Sequence, residues 1–243
     1  MNTTFKTLAS IAILSPMANA ALVGLNFQGD GTFNLAPGTT AGSTAGTEIA
    51  PQQNWNNALN GNNATGTITN LISSTGIPSN ITATWNGPDS WKASGTGLVG
   101  PSGNEQMTYG FIKATGGNLQ NPSGNVTVTF SNLVIGSLFD MVIYTATDNG
   151  GALGTFTLND TANTSTFYNV GLGNVATFTD NSTRRAFTGL TAVNTSVTLT
   201  MSGGGAGLAG VQFSGTAIPE PSSAVLLGLG ALGLLAHRTR RQA

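Results

Sequence analysis

Apolar and polar residues alternate with a period of two through much of the chain. Val126, Val128 and Phe130 are separated by Thr127 and Thr129, and Val197, Leu199 and Met201 by Thr198 and Thr200. Such alternation belongs to a β-strand with one face on a core and the other in water. Residues 138–146 are more continuously apolar, which predicts a central strand buried on both faces. Weaker patterns predict strands at 21–28, 66–72, 80–86, 105–113, 154–159, 174–179 and 208–215. Turn clusters punctuate them: Gly116-Gly117-Asn118, Asn121-Pro122-Ser123-Gly124, Asp148-Asn149-Gly150-Gly151 and Gly203-Gly204-Gly205. No stretch of 21–217 has helical periodicity. Many short strands at fairly regular spacing predict an all-β fold, an antiparallel β-sandwich of jelly-roll type.

Two segments break the alternation. Residues 34–63 are rich in Gly, Thr, Ala and Asn, and their one large aromatic is Trp55. They read as a long loop wrapping one end of the sandwich, pinned by that Trp. Residues 90–103 read the same way. No tandem repeat of fixed period is present, which disfavours a solenoid or propeller.

The two chain ends differ from the body. Met1–Lys6 carries one positive charge, residues 8–14 are apolar, and Ala18-Asn19-Ala20 has the small-x-small form of a signal-peptidase site. Residues 1–20 are therefore expected to be an N-terminal signal helix, and the mature chain to start at Ala21. At the other end, Pro219-Glu220-Pro221 precedes an uncharged run from Ser222 to Ala236, followed by Arg238, Arg240 and Arg241. Fifteen helical residues reach about 22 Å, short of a hydrocarbon core of about 30 Å. Local thinning and snorkelling arginines let so short a transmembrane helix span. The basic end is expected to stay cytoplasmic, with everything before Pro219 on the far side. The domain reading is thus 1–20, signal peptide; 21–217, β-sandwich; 218–243, tail.

Composition narrows the choice. Gly supplies 34 of 243 residues while only 7% are charged, far below the usual quarter or so. Between residues 21 and 217, four cations (Lys92, Lys113, Arg184, Arg185) face eight anions, so no basic stripe exists to neutralise phosphates and nucleic acid is not an expected partner. A weakly charged surface of amides and hydroxyls suits neutral partners such as glycans or other copies of the chain. There is no cysteine, which excludes disulfides, thiolate ligands and a cysteine nucleophile.

The ordered C-terminal features, Pro219-Glu220-Pro221, short apolar run and Arg238, Arg240 and Arg241, resemble the PEP-CTERM sorting signal of Gram-negative bacteria. The resemblance implies that the tail is a processing address, read and cleaved by an exosortase in the inner membrane. The body is similar to an exported β-sandwich recurrent among PEP-CTERM proteins. That similarity lies in Val23-Gly24-Leu25-Asn26-Phe27, Asn54-Trp55-Asn56-Asn57, Phe139-Asp140-Met141-Val142-Ile143-Tyr144, Phe187-Thr188-Gly189-Leu190 and Leu208-Ala209-Gly210-Val211-Gln212-Phe213. It implies a secreted or envelope protein connected with extracellular polysaccharide, and supplies no catalytic residues. The implied partners are signal peptidase and exosortase as processing enzymes, the inner membrane transiently, and then exopolysaccharide or the chain itself at the cell surface or in a biofilm matrix.

Candidate chemistry within the body is sparse. The single histidine, His237, follows the apolar tail, so histidine-based triads, general bases and metal sites lack their central residue in the exported part. Paired carboxylates serve glycoside hydrolases, and Asp89 and Glu105, flanking a Gly- and Trp-containing loop, are the least scattered pair; as turn and surface residues they need no function. No catalytic or metal residue is assigned. Asp148-Asn149-Gly150 and Asp30-Gly31 offer hard oxygen ligands for a structural Ca²⁺, although the tripeptide is itself a turn signal. Trp85, Trp91 and Tyr109 are the aromatics able to stack on sugar rings. Trp85 keeps phase with Ile81 and Ala83, which assigns it to the core, so Trp91 and Tyr109 remain as glycan-contact candidates. Arg184 and Arg185 read equally well as a solvated turn or with one of them paired to Asp180. The expected role is structural, adhesive or glycan-binding rather than enzymatic, with a glycoside hydrolase or a purely self-associating matrix protein as the alternatives.

Overall fold

A computed structural model describes residues 21–29, 35–42, 51–58, 64–92, 102–114, 124–147, 152–159, 164–169, 176–203, 207–216 and 218. The signal segment, the Pro-Glu-Pro tail with its arginines, and the core of both calcium candidates (Asp30-Gly31 and Asp148-Asn149-Gly150) lie outside these residues. No helix among the described residues is long and apolar enough to cross a membrane.

The described chain forms two sheets. The first contains β1 (Ala21–Phe27), β2 (Asn56–Ala58), β5 (Asp89–Lys92), β6 (Gly110–Lys113), β8 (Leu138–Ala146), β11 (Arg184–Thr191) and β13 (Gly207–Gly215). The second contains β3 (Gly66–Ile68), β4 (Thr82–Asn86), β7 (Val126–Ser131), β9 (Ala152–Leu158), β10 (Thr164–Asn169) and β12 (Ser196–Ser202), in the order β10-β9-β12-β7-β4-β3. In the first, β13 lies between β8 and a divided flank. Its residues 210–215 pair with β1, and Gly207 and Leu208 pair with β6. Pairings between these strands are antiparallel except β1 with β2, which is parallel, so the expected antiparallel sandwich carries one parallel edge.

The period-two residues meet in one core. Leu25, Phe27, Met141, Ile143, Val211 and Phe213 of the first sheet pack with Trp85, Val126, Val128, Phe130, Leu199 and Met201 of the second. Phe213 joins the layers, stacking on Phe139 of its own sheet (centroids 4.8 Å apart) and on Phe130 of the other (5.6 Å). Such ring pairs add about 0.5–1.5 kcal/mol beyond their burial. As expected, β8 is buried on both faces from Phe139 onward, apart from half-buried Asp140.

The second face of β8 is covered by loops rather than strands. Val142 and Tyr144 pack with Leu35, Ala41, Trp55, Met107 and Phe178 in a separate apolar cluster. Along 35–42 and 51–55 the segment expected to wrap one end therefore covers a sheet face instead, and 56–58 extend the sheet edge as β2. Trp55 does pin it, edge-on to Tyr144 at 6.2 Å.

Several local expectations fail for identifiable reasons. The pattern predicts one strand over 105–113, but Gly103–Met107 is a short helix, α1, entered through a capping box in which Ser102 and Glu105 bond reciprocally. Five helical residues are too few to show a period. In the range 174–179, the described residues 176–179 carry no strand. β11 escapes the alternation rule because its register shifts between Phe187 and Leu190, at Gly189 with φ +66°. β2 and β5, at three and four residues, are too short to read against Gly- and Asn-rich flanks.

Candidate functional site

Trp91 sits on β5, the edge strand beyond β6, opposite Phe111 in register. Phe111 packs with Ala146 and Ala209, which places Trp91 on the outward, loop-covered side of the first sheet. It is 36% exposed. Lys113 Nζ lies 5.5 Å from the ring centroid, a cation–π contact that occupies one ring face. Asp89 is opposite Lys113, so Trp91, Lys113 and Asp89 share one face of the β5–β6 pair. Tyr109 comes one residue before β6 and is half-buried, two positions along from Phe111. The structure thus brings the two glycan candidates onto adjacent chain segments, with Trp91 the more open. Trp85 is in the core, edge-on to Phe27 at 5.9 Å.

Close backbone approach fixes this pair. A Cβ on Gly110 would collide with the carbonyl oxygen of Gln28, so the chain after β1 rests directly on the start of β6. Gly29, at φ +52°, turns the chain there beneath the carbonyls of Trp91 and Phe111.

The rival carboxylate pair is differently engaged. Glu105 Oε2 accepts from Ser102 N (3.1 Å) and Ser102 Oγ (2.6 Å), and Asp89 Oδ1 accepts from Ser90 N (3.0 Å). Glu105 closes the cap of α1. Its helix in turn ties down neighbouring loops, since Asn104 Oδ1 accepts from Gly42 N (2.9 Å) and Asn104 Nδ2 donates to Ala176 O (3.0 Å). Among the described residues, no group of three or more His, Cys, Asp or Glu side chains is arranged to hold a metal.

Beneath these loops lies a buried polar relay that sequence reasoning missed. Tyr144 Oη donates to Gln212 Oε1, and Gln212 Nε2 donates to Gln52 Oε1 (3.1 Å). Nearby, Asn57 Oδ1 accepts from Asn26 Nδ2 (3.0 Å) and Leu35 N (3.1 Å), while Asn57 Nδ2 donates to Leu35 O (3.1 Å). Asn56 holds the 72 region, exchanging bonds with Ile72 N and Ile72 O at 2.8 Å each. These amides supply most of the ties between loops and sheet. The period-two position of Gln212 between Val211 and Phe213 marks it as outward-facing, but nothing in the sequence says that loops would cover it. Arg184 is 1% exposed and binds Asp180 through Nε at 2.8 Å, which settles which of the two arginines makes the anticipated pair.

The sorting residues Pro219, Glu220, Pro221, Arg238, Arg240 and Arg241 are outside the described residues, but their point of departure is inside. Ile218 is 2% exposed and belongs to the main core, with its N–H donating to Gly215 O at 3.4 Å. The packed body therefore extends one residue past the boundary expected at 217.

Residues 217–241 match the family model described as the PEP-CTERM protein-sorting motif. That motif implies export and membrane anchoring before processing by an exosortase. No curated protein matches the chain. Among solved structures, the chain is similar to TmCBM61 in complex with β-1,4-galactotriose, at 9% identity and a TM-score of 0.25, covering 55% of this chain and 83% of the other. A similarity of that size supports no argument about fold or ligand.

Proposed function

We propose that the chain is an exported, exosortase-sorted protein of the cell surface or extracellular matrix, non-enzymatic, whose β-body adheres to exopolysaccharide. The observation that carries the sorting half is the motif match at 217–241, whose second residue, Ile218, is packed in the core. In this reading residues 1–20 are a signal peptide, 21–217 with Ile218 form a jelly-roll sandwich, and the remaining tail spans the inner membrane until an exosortase processes it. Strand order supports the jelly-roll type, because β7 to β8, β8 to β9, β10 to β11, β11 to β12 and β12 to β13 each cross from one sheet to the other. The adhesive half rests on Trp91, an exposed ring on an edge strand, with Tyr109 beside it as the second contact. Use of Glu105 in the cap of α1 favours binding over hydrolysis. No resident cofactor is invoked.

Co-sedimentation with the producing cell's own polysaccharide tests the adhesive half. The wild-type mature protein is expected to pellet with the polymer without shortening it, and Trp91→Ala to stay in the supernatant. Equal pelleting of both proteins overturns the Trp91 site. Polymer shortening that disappears in Asp89→Asn would replace binding by hydrolysis. Concentration-dependent assembly without polymer, and no pelleting with it, would replace binding by self-association.

A further inference from the structure

Exposed large aliphatic side chains are concentrated at one end of the body. Ile135 and Val193 are each 61% exposed, Leu138 59%, Ile77 50%, and Val134 and Ile72 slightly less. They are far apart in sequence, and the topology collects them. Thr191 at the end of β11 pairs with Leu138 at the start of β8, and Gly215 at the end of β13 pairs with Phe139 and Ala21. Leu133 N donates to Thr195 O, and Gly136 N to Ala192 O, locking the β7–β8 and β11–β12 turns together. Ser74 N donates to Leu22 O, and Asn132 Nδ2 to Asn80 O, which brings the 71–81 loop to the same end.

The described segments at this end carry no charge. Residues 70–82, 131–139, 188–196 and 214–218 contain no Asp, Glu, Lys or Arg. Asp140, just inside β8, accepts from Gly189 N through its carboxylate at 2.7 Å, and Glu220 follows Ile218 by two residues.

It is also the end from which the tail leaves. Thr216 Oγ1 donates to Leu138 O (3.4 Å), and Ile218 is fixed in the core two residues later. Only Pro219, Glu220 and Pro221 separate Ile218 from the apolar run at Ser222. Four Cα-to-Cα steps reach at most about 14 Å even when fully extended. The headgroup layer on each side of a bilayer is about 5–8 Å thick. Even fully extended, the linker therefore keeps Ile218 within about 6–9 Å of the headgroup surface of a membrane that the tail has entered.

We propose that this end of the body docks on the lipid surface, with Ile135, Leu138 and Val193 seated in the headgroup region beside the entry point of the tail. The proposal rests on the anchoring reading above and deepens it. Isolated aliphatic turns bind a bilayer weakly, since attachment scales with the apolar area buried, but a tether of three residues raises their effective concentration at the surface. Docking orients the body, directing Trp91 away from the bilayer. Trp91 is level with Ala209 across β5, β6 and β13, six residues and about 20 Å from Gly215.

The absence of cysteine makes the test direct. The full chain is reconstituted into phosphatidylethanolamine–phosphatidylglycerol vesicles as Ile135→Cys, Val193→Cys, Lys92→Cys or Leu229→Cys, each labelled with a polarity-sensitive fluorophore. Labels at 135 and 193 are expected to blue-shift and to be quenched by lipid-borne quenchers. The label at 92 is expected to remain in water. Val134→Ser/Leu138→Ser added to Ile135→Cys should lessen the shift at 135 without changing the signal at 229. A water-like signal at 135 and 193, with 229 buried in lipid, overturns docking and leaves anchoring standing. A water-like signal at 229 overturns both. Shielding of 135 that appears only at high protein-to-lipid ratio, or only with exosortase present, assigns this end to a second copy or to the enzyme and overturns the lipid contact.

Discussion

The two ends of the body present opposite chemistry on a shared frame. At the end where the tail departs, turns expose Ile135, Leu138 and Val193 with no charge between them. Toward the other end, the β5–β6 pair exposes Trp91 among Asp89, Lys92 and Lys113. Both are carried by the same strands, since β13 pairs with β6 at its start and with the first residues of β1 and β8 at its end. A two-sheet body with crossing connections gathers distant turns at each end, so a single antiparallel frame can face a membrane and its surroundings in opposite directions. The long face between them is held largely by buried amides, with the Arg184–Asp180 ion pair beside them, in keeping with a chain in which 7% of residues are charged.

The comparison can be broken most severely at Gly110. Gly110→Ala places a methyl group against the Gln28 carbonyl, and no flexible side chain is available to yield. The expected loss is about 4 kcal/mol or more, read from denaturant unfolding, with the β5–β6 pair and its Trp91 displaced. Next comes the polar relay under the loops. Tyr144→Phe deprives buried Gln212 Oε1 of its donor, which should cost about 1–3 kcal/mol by the same measurement. Ser102→Ala removes the capping box that holds α1 and should cost about 0.5–2 kcal/mol, with amide exchange at Glu105 accelerated. The smallest effect sharpens the contrast best. Ile135→Ser, on an exposed turn, should leave thermal unfolding of the body within about 0.5 kcal/mol. A large destabilisation would mean that the side chain is structural and that its end of the body has no separate role.

Much of this architecture was legible in the sequence, and the boundary of legibility is physical. Strands with one wet face, such as β7 and β12, announce themselves because Thr alternates with Val, Leu and Phe. β8 shows as a continuous apolar run because loops cover its second face. What was hidden depends on contacts distant in sequence. The register shift in β11 scrambles its alternation, and β2 gains its place only by lying parallel beside β1. The capping pair Ser102 and Glu105 went unread, because the helix that it starts is too short to carry a period. Strand phase assigned Trp85 to the core, where it lies, whereas Trp91, read as part of a loop over 90–103, sits on the edge strand β5. The apolar end was not legible at all, since its residues sit in four separate segments that only the fold brings together.

The account depends most on the tail being a sorting address rather than a permanent anchor. The direct measurement is the C-terminal mass and cell fraction of the mature protein, for wild type beside Glu220→Ala and a deletion of Pro219–Pro221. The account predicts that wild type loses the residues beyond the Pro-Glu-Pro region and leaves the inner membrane, while both variants remain full-length within it. An intact C-terminus in the inner membrane for all three would contradict it.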